Sequence, residues 1–153
     1  ALENLQKAIE LKGDYAPAHF LTAAVYEQQG KNEEAIAKLE ETKKVAPNDT
    51  GLAFQLGVIY WQKKDLDKAQ AELERAISIS QNYSNARYIL GLVFDAKKDK
   101  AKALEQFSKI AELNPDNEEV KKIIANIEAG KQPLDGIQVE QPPLREAPPE
   151  IGG

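Results

Sequence analysis

The side chains that could carry out catalysis are few in this sequence. His19 is the one histidine and falls where two helices would pack, which favours a structural role, and there is no cysteine. The paired acids Glu33-Glu34, Glu40-Glu41 and Glu118-Glu119 belong to helix surfaces or helix starts, where water or the helix dipole accounts for them. The sequence contains no phosphate-binding loop and no metal-ligand cluster. It therefore predicts no enzymatic activity, no cofactor and no metal.

Any binding site must be positioned by helices, because apolar residues recur at helical spacing and the whole pattern recurs every 34 residues. Four classes of residue keep this step: small residues, aromatic residues, alanines and large apolar residues. They are Ala23, Gly57 and Gly91; Tyr26, Tyr60 and Phe94; Ala35, Ala69 and Ala103; and Leu39, Leu73 and Phe107. The spacing predicts three units, each a pair of helices, at residues 16–49, 50–83 and 84–117.

Partial units are expected on both sides of these three. Residues 1–15 fit the second half of an earlier unit, because Ala1, Leu5 and Ala8 fall where Ala103, Phe107 and Ile110 fall. Residues 118–129 fit a first helix without its partner. Its apolar positions are Val120, Ile124 and Ile127, and its wetter face carries Lys121, Lys122 and Glu128. A lone amphipathic helix at the end of a stack is a cap.

The turns between helices carry capping signals. Pro47-Asn48-Asp49 and Pro115-Asp116-Asn117 follow helix ends and supply N-cap side chains for the next helix. Gly30 is predicted to end its helix in a left-handed conformation. Lys64 and Lys98 stand at the equivalent positions, where a side chain adopts that conformation at a modest cost.

Composition narrows the class of protein. With 42% hydrophobic and 29% charged residues, the 153-residue chain fits an all-helical domain. The formal net charge of −5 argues against a nucleic-acid partner, and no apolar stretch is long enough for membrane insertion. The chain opens inside a helical pattern and contains no methionine, so we expect a fragment of a longer protein. No compartment is predicted, and the cytoplasm is the default.

Residues 131–153 differ in composition from the rest. Five of the eight prolines lie in these 23 residues, a density that excludes a helix. Two alternatives follow: a disordered or polyproline-like tail, or a tail docked on a surface.

The repeated pattern resembles the tetratricopeptide repeat, whose 34-residue signature is W-x₂-L-G-x₂-Y, then A-x₃-F, an alanine and a proline. The third unit matches it best, and the first is the weakest. The matching residues of the third unit are Leu90, Gly91, Phe94, Ala103, Phe107 and Pro115. The resemblance covers about residues 1–129 and implies an all-α, right-handed superhelix whose first helices line a concave face.

The resemblance also implies which residues line that face. They are the aromatic ladder Phe20, Phe54 and Tyr88; the aliphatic stripe Ala24, Val58 and Leu92; and Glu27, Trp61, Gln62 and Asp95 at the edge. The alternative for the ladder is packing between neighbouring helices. Trp61 follows Tyr60, which takes the core position, so its indole is expected to point elsewhere and to serve as a binding anchor.

The implied ligand is an apolar or proline-rich peptide with a weak preference for basic groups. The family's clamp for a C-terminal carboxylate is absent, because its positions carry Phe20, Ala24, Gln55, Asn85 and Ile89. The chain's own tail is a plausible ligand, in cis or in trans, through Pro142, Pro143, Leu144, Pro148 and Pro149. A plain flexible terminus is the alternative.

Two functions remain open at the level of sequence. The first is a scaffold for protein–protein interaction that binds a peptide on the concave face. The second is a structural, oligomerisation or spacer segment of a larger bacterial protein, which could be attached to a membrane elsewhere in the chain and could form a homo-oligomer.

Overall fold

The computed structural model describes residues 16–138, with side chains for residue 21 and residues 23–138. Within this range there are seven α-helices and no strand. They are α1 (Ala16–Gln28), α2 (Asn32–Val45), α3 (Thr50–Gln62), α4 (Leu66–Ile79), α5 (Ser84–Ala96), α6 (Lys100–Leu113) and α7 (Glu118–Glu128). The predicted all-α class is confirmed. The half unit expected at residues 1–15 lies outside the described residues.

The helices form a linear stack of pairs. The most extensive contacts join α1 to α2, α3 to α4, and α5 to α6, and the short loops between them make neighbours antiparallel. Each pair meets the next through α2 with α3, α4 with α5, and α6 with α7. The chain therefore buries its apolar surface mainly between neighbours, as a solenoid does. No helix among the described residues is long and apolar enough to span a bilayer.

Small residues set the distance between the two helices of a pair. A Cβ atom built on Gly57 would lie 2.6 Å from Leu73 Cγ, and one built on Gly91 would lie 2.6 Å from Phe107 Cε2. Both distances are shorter than real contacts allow. The predicted role of the small residue in the first helix, close approach to a large residue in the second, is confirmed in both units.

Polar side chains begin four of the helices. Asp49 and Asn117 accept hydrogen bonds from the backbone nitrogens of Leu52 (2.9 Å) and Val120 (3.1 Å). Asp65 and Asp99 cap α4 and α6 in the same way, accepting from the backbone nitrogens three residues on. These carboxylates and amides satisfy N–H groups that a helix start leaves unpaired, so the predicted caps at Asp49 and Asn117 are confirmed.

The first helix of each unit ends in one recurring turn. Gly30, Lys64, Lys98 and Gly130 all have positive φ, between 64° and 75°. The residue after each one donates its backbone N–H to the carbonyl five residues back, as in Lys31 to Tyr26 (2.8 Å) and Lys131 to Asn126 (2.8 Å). This is the Schellman pattern. It closes α7 as it closes α1, α3 and α5.

The capping helix α7 buries a different face from the one expected. Val120, Ile123 and Ile127 are its buried apolar residues, whereas Ile124 is only partly buried. The expectation of Ile124 in this set was wrong, because α7 packs on α6 through the positions that Ala86, Ile89 and Val93 occupy in α5.

The chain after α7 does not leave the surface at once. Residues 133–136 form a turn, Pro133 is buried, and Leu134 and Ile137 pack against the core. The first eight residues of the proline-rich stretch, 131–138, are thus docked on the stack. The remaining residues, 139–153, lie outside the described part of the chain.

Candidate peptide-binding groove

Nine of the ten residues assigned to the concave face have described side chains. They lie on the first helices of successive units: Ala24 and Glu27 on α1; Phe54, Val58, Trp61 and Gln62 on α3; and Tyr88, Leu92 and Asp95 on α5. The tenth, Phe20, is on α1, and its side chain lies outside the description.

The aromatic ladder is a buried floor rather than an open surface. Phe54 is 5% exposed, and its ring centroid lies 5.0 Å from that of Tyr83. Tyr88 is 9% exposed and meets Phe107 edge-on at 5.7 Å. Val58 is buried as well. For these side chains the structure shows packing between helices, the alternative considered above.

Trp61 stands apart from this floor. Tyr60, its neighbour in sequence, is buried, whereas Trp61 is half-buried at the edge of the core. The Lys64 ammonium lies 5.1 Å from the centroid of the Trp61 ring, within reach of a cation–π interaction. The indole is therefore held in place and still offers apolar surface to an approaching group.

Glu27 supplies negative charge one unit away from Trp61. It is half-buried and accepts a hydrogen bond of 3.1 Å from Gln55 Nε2 on α3. Burial raises the pKa of the Glu27 carboxyl, and the hydrogen bond from Gln55 partly opposes that rise. Asp95, at the same position on α5, is also half-buried.

The remaining predicted residues are accessible to different extents. Ala24 and Leu92 are half-buried, and Gln62 is exposed. The accessible part of the concave register thus combines one indole, two small or aliphatic side chains, one amide and two carboxylates. This set can bind apolar and basic groups without covalent chemistry.

Sequence reasoning missed the contribution of α7 to this face. Tyr88 Oη donates a 3.0 Å hydrogen bond to Glu119 Oε1, which joins α5 to α7. Burial, followed by this hydrogen bond, raises the pKa of the Tyr88 hydroxyl. Continuing the 34-residue step beyond the third unit would have identified Glu119, because it follows Asn85 at that spacing.

The described residues contain no group of three or more His, Cys, Asp or Glu side chains that could hold a metal ion. The buried acid Glu72 is neutralised locally. It binds Lys43 of α2, and it accepts hydrogen bonds from Arg75 Nε (2.8 Å) and Nη2 (2.6 Å). Its charge therefore links two units and is not directed at the groove.

Two family models match the sequence, both described as tetratricopeptide repeat. One covers residues 60–127 and the other residues 1–50. No curated protein sequence matches the chain.

Solved structures match the fold at low identity. The crystal structure of MamA gives a TM-score of 0.77 at 22% identity, covering 84% of this chain and 75% of MamA. YrrB, described as a TPR protein with an unusual peptide-binding site, gives 0.75 at 22%, covering 88% of this chain and 70% of YrrB. The first TPR of Spaghetti (RPAP3), solved with the HSP90 peptide SRMEEVD, gives 0.70 at 22%, covering 75% of this chain and 91% of that one.

At this identity the solved structures show the fold, and the family models add the sequence pattern. The models match the same stretch in which the Gly57–Leu73 and Gly91–Phe107 contacts recur. The chain therefore belongs to the tetratricopeptide repeat family and is an all-α solenoid of helix pairs.

Proposed function

We propose that this chain is a scaffold for protein–protein interaction, and that it binds an apolar or proline-rich peptide segment along the concave face of α1, α3 and α5. The observation that carries the proposal is the half-buried indole of Trp61 above a floor that holds Phe54 and Val58. A tryptophan that keeps apolar surface accessible on a packed floor is a natural anchor for binding energy.

Two of the similar structures support a peptide as the ligand. YrrB is described by its peptide-binding site, and the Spaghetti repeat holds the peptide SRMEEVD. In this chain the positions of the carboxylate clamp carry neutral side chains such as Gln55 and Ile89. A ligand here is therefore recognised along its length and not by a terminal carboxylate.

The charge of the face favours a ligand with a basic group. Glu27 and Asp95 stand one unit to either side of Trp61, and Lys64 is engaged by the indole. An arginine or lysine next to an apolar or proline residue would meet opposite charge at this edge.

The proline-rich segment of the chain itself is one candidate ligand, in cis or from a second copy. Its Pro142-Pro143-Leu144 stretch precedes Arg145, which places apolar and basic groups side by side. A polyproline segment loses little conformational entropy on docking. Association of copies through the array is the alternative function, and light scattering at high protein concentration separates the two.

The test uses synthetic peptides and the one tryptophan of the chain. A labelled peptide with the sequence of residues 139–153 is titrated against the wild type, Trp61→Ala and Val45→Ala, and its anisotropy is followed. We expect Trp61→Ala to weaken binding about tenfold or more, because loss of a central anchor costs most of the affinity.

Val45→Ala is the matched control, since it removes an apolar side chain that is 52% exposed on α2. It should bind like the wild type, and the helical circular dichroism of both variants should be unchanged. A peptide with its prolines replaced by serine, and the peptide SRMEEVD, should bind weakly. Equal affinity for Trp61→Ala and the wild type would sink the proposal.

A further inference from the structure

The groove register continues onto α7. Stepping 34 residues from Tyr88 and Leu92 leads to Lys122 and Asn126. The register holds in three dimensions, because the residues of α7 buried against α6 occupy the same phase as their counterparts in α5. Lys122 and Asn126 therefore stand where a fourth unit would present the ladder and the stripe of its concave face.

That face of α7 is occupied by the chain's own main chain. Asn126 Nδ2 donates hydrogen bonds to the carbonyl oxygens of Pro133 (3.0 Å) and Asp135 (2.9 Å), and Lys122 Nζ donates to that of Gly136 (2.6 Å). Asn126 is only 9% exposed, so the turn covers its amide. Three carbonyls within four residues are thus captured by two side chains of the groove register.

The turn does not replace the missing second helix of a fourth unit. In α5 the residues that face the partner helix include Arg87 and Gly91. Their counterparts on α7, Lys121 and Ala125, are exposed. After Gly130 the chain therefore crosses to the groove side of α7 and leaves the partner side open.

We propose that residues 131–138 are an intramolecular competitor of the groove ligand. The turn fills the fourth position of the concave face and ends the groove after α5, until it is displaced. This inference rests on the proposed function and adds its regulation. The contacts from Asn126 and Lys122 go to main-chain carbonyls, so an incoming peptide main chain can use the same donors. A tethered segment competes at a high effective concentration.

The test is made on the full chain with two substitutions at one position. Asn126→Asp keeps the shape of the side chain, removes both donations and places a carboxylate against two carbonyl oxygens. Asn126→Leu installs the residue found at Leu92, one unit earlier. Lys121→Ala, on the neighbouring exposed face, is the matched control.

Two quantities are measured for each chain. The first is hydrogen exchange of the backbone amides in residues 131–138, which should become about fivefold faster or more in both Asn126 variants once the turn opens. The second is the affinity for the labelled peptide of residues 139–153, which should rise about threefold to tenfold as the competitor is removed. Lys121→Ala should match the wild type in both.

The outcomes separate this inference from the proposed function. If the turn opens and the affinity for the peptide stays at the wild-type value, the turn is not a competitor and the inference fails. If exchange in residues 131–138 is unchanged in both variants, Asn126 does not hold the turn, and the inference also fails. If peptide binding in the Asn126 variants does not depend on Trp61, the proposed function fails.

Discussion

At the scale of single residues, Glu27 has an unusual balance of forces. It is an acid that is half-buried in the groove, with Gln55 as its hydrogen-bond partner. Burial raises the pKa of the Glu27 carboxyl in the folded state, which means that the ionised form costs stability above that pKa. The folded state binds the proton more tightly than the unfolded state, so this cost falls as the pH falls through the raised pKa.

The prediction is that Glu27→Gln stabilises the fold at pH 7 and that its advantage over the wild type shrinks as the pH is lowered. Glutamine keeps the size of the side chain and still accepts from Gln55. The measurement is the urea midpoint of both chains at several pH values, together with the NMR titration of the Glu27 carboxyl. Glu105→Gln, which removes an exposed carboxylate from α6, controls for the loss of one charge. An advantage that is constant with pH would contradict the prediction.

At the scale of elements, the approach of α5 to α6 depends on the missing side chain at Gly91. A Cβ atom there would lie 2.6 Å and 2.8 Å from two carbon atoms of the Phe107 ring. Phe107 is fully buried and also meets Tyr88 edge-on, so its ring has little room to move.

We expect Gly91→Ala to lower the free energy of unfolding by about 1–2 kcal/mol. Overpacking costs about 1–3 kcal/mol, and alanine regains up to about 1 kcal/mol of helix propensity. Urea denaturation measures the change. In a Phe107→Val background, which removes the ring, the same substitution should be neutral or stabilising. A loss of equal size in both backgrounds would show that the ring is not the cause.

Helix ends form a second feature at this scale. Lys64 and Lys98 adopt positive φ, 64° and 65°, at positions where Gly30 and Gly130 do so without a side chain. The Schellman hydrogen bonds and the stacking of the next helix hold these lysines in a conformation that a side chain disfavours. The turn is therefore set by the repeat as a unit and not by glycine alone.

At the scale of the whole molecule, lysines at the ends of first helices join successive units. Lys97 Nζ donates hydrogen bonds to Asp67 Oδ1 (2.7 Å) and to Gln70 Oε1 (2.7 Å) on the preceding pair. Lys63 contacts Glu33 in the same way one unit earlier. The hydrogen bond and the charge of Lys97 lower the pKa of the Asp67 carboxyl.

We predict that Lys97→Gln raises the pKa of Asp67 towards its ordinary value, and that added salt does the same in the wild type, because the pair is screened by solvent. Since the folded-state pKa is depressed, any stability from this pair is present above the unfolded pKa and is lost as the pH falls through the folded one. NMR titration of the Asp67 carboxyl checks this. Lys44→Gln, which removes an exposed lysine from α2, should leave that titration unchanged.

Spacing along the chain was enough to predict the family, the all-α class and the contact between Gly91 and Phe107. The caps at Asp49 and Asn117 were also readable, because a cap is formed by residues three apart. These features depend on local chemistry and on a period, and both are properties of the sequence.

The tertiary structure decided which side chains of the concave register are accessible. Phe54 and Trp61 both belong to that register, yet Tyr83 covers one ring while the other indole stays half-exposed. The capture of the turn by Asn126 was likewise invisible in sequence, since an amide between polar neighbours predicts only a solvated surface. Burial and long-range hydrogen bonds depend on what the neighbouring element brings to each position, and no period along the chain contains that information.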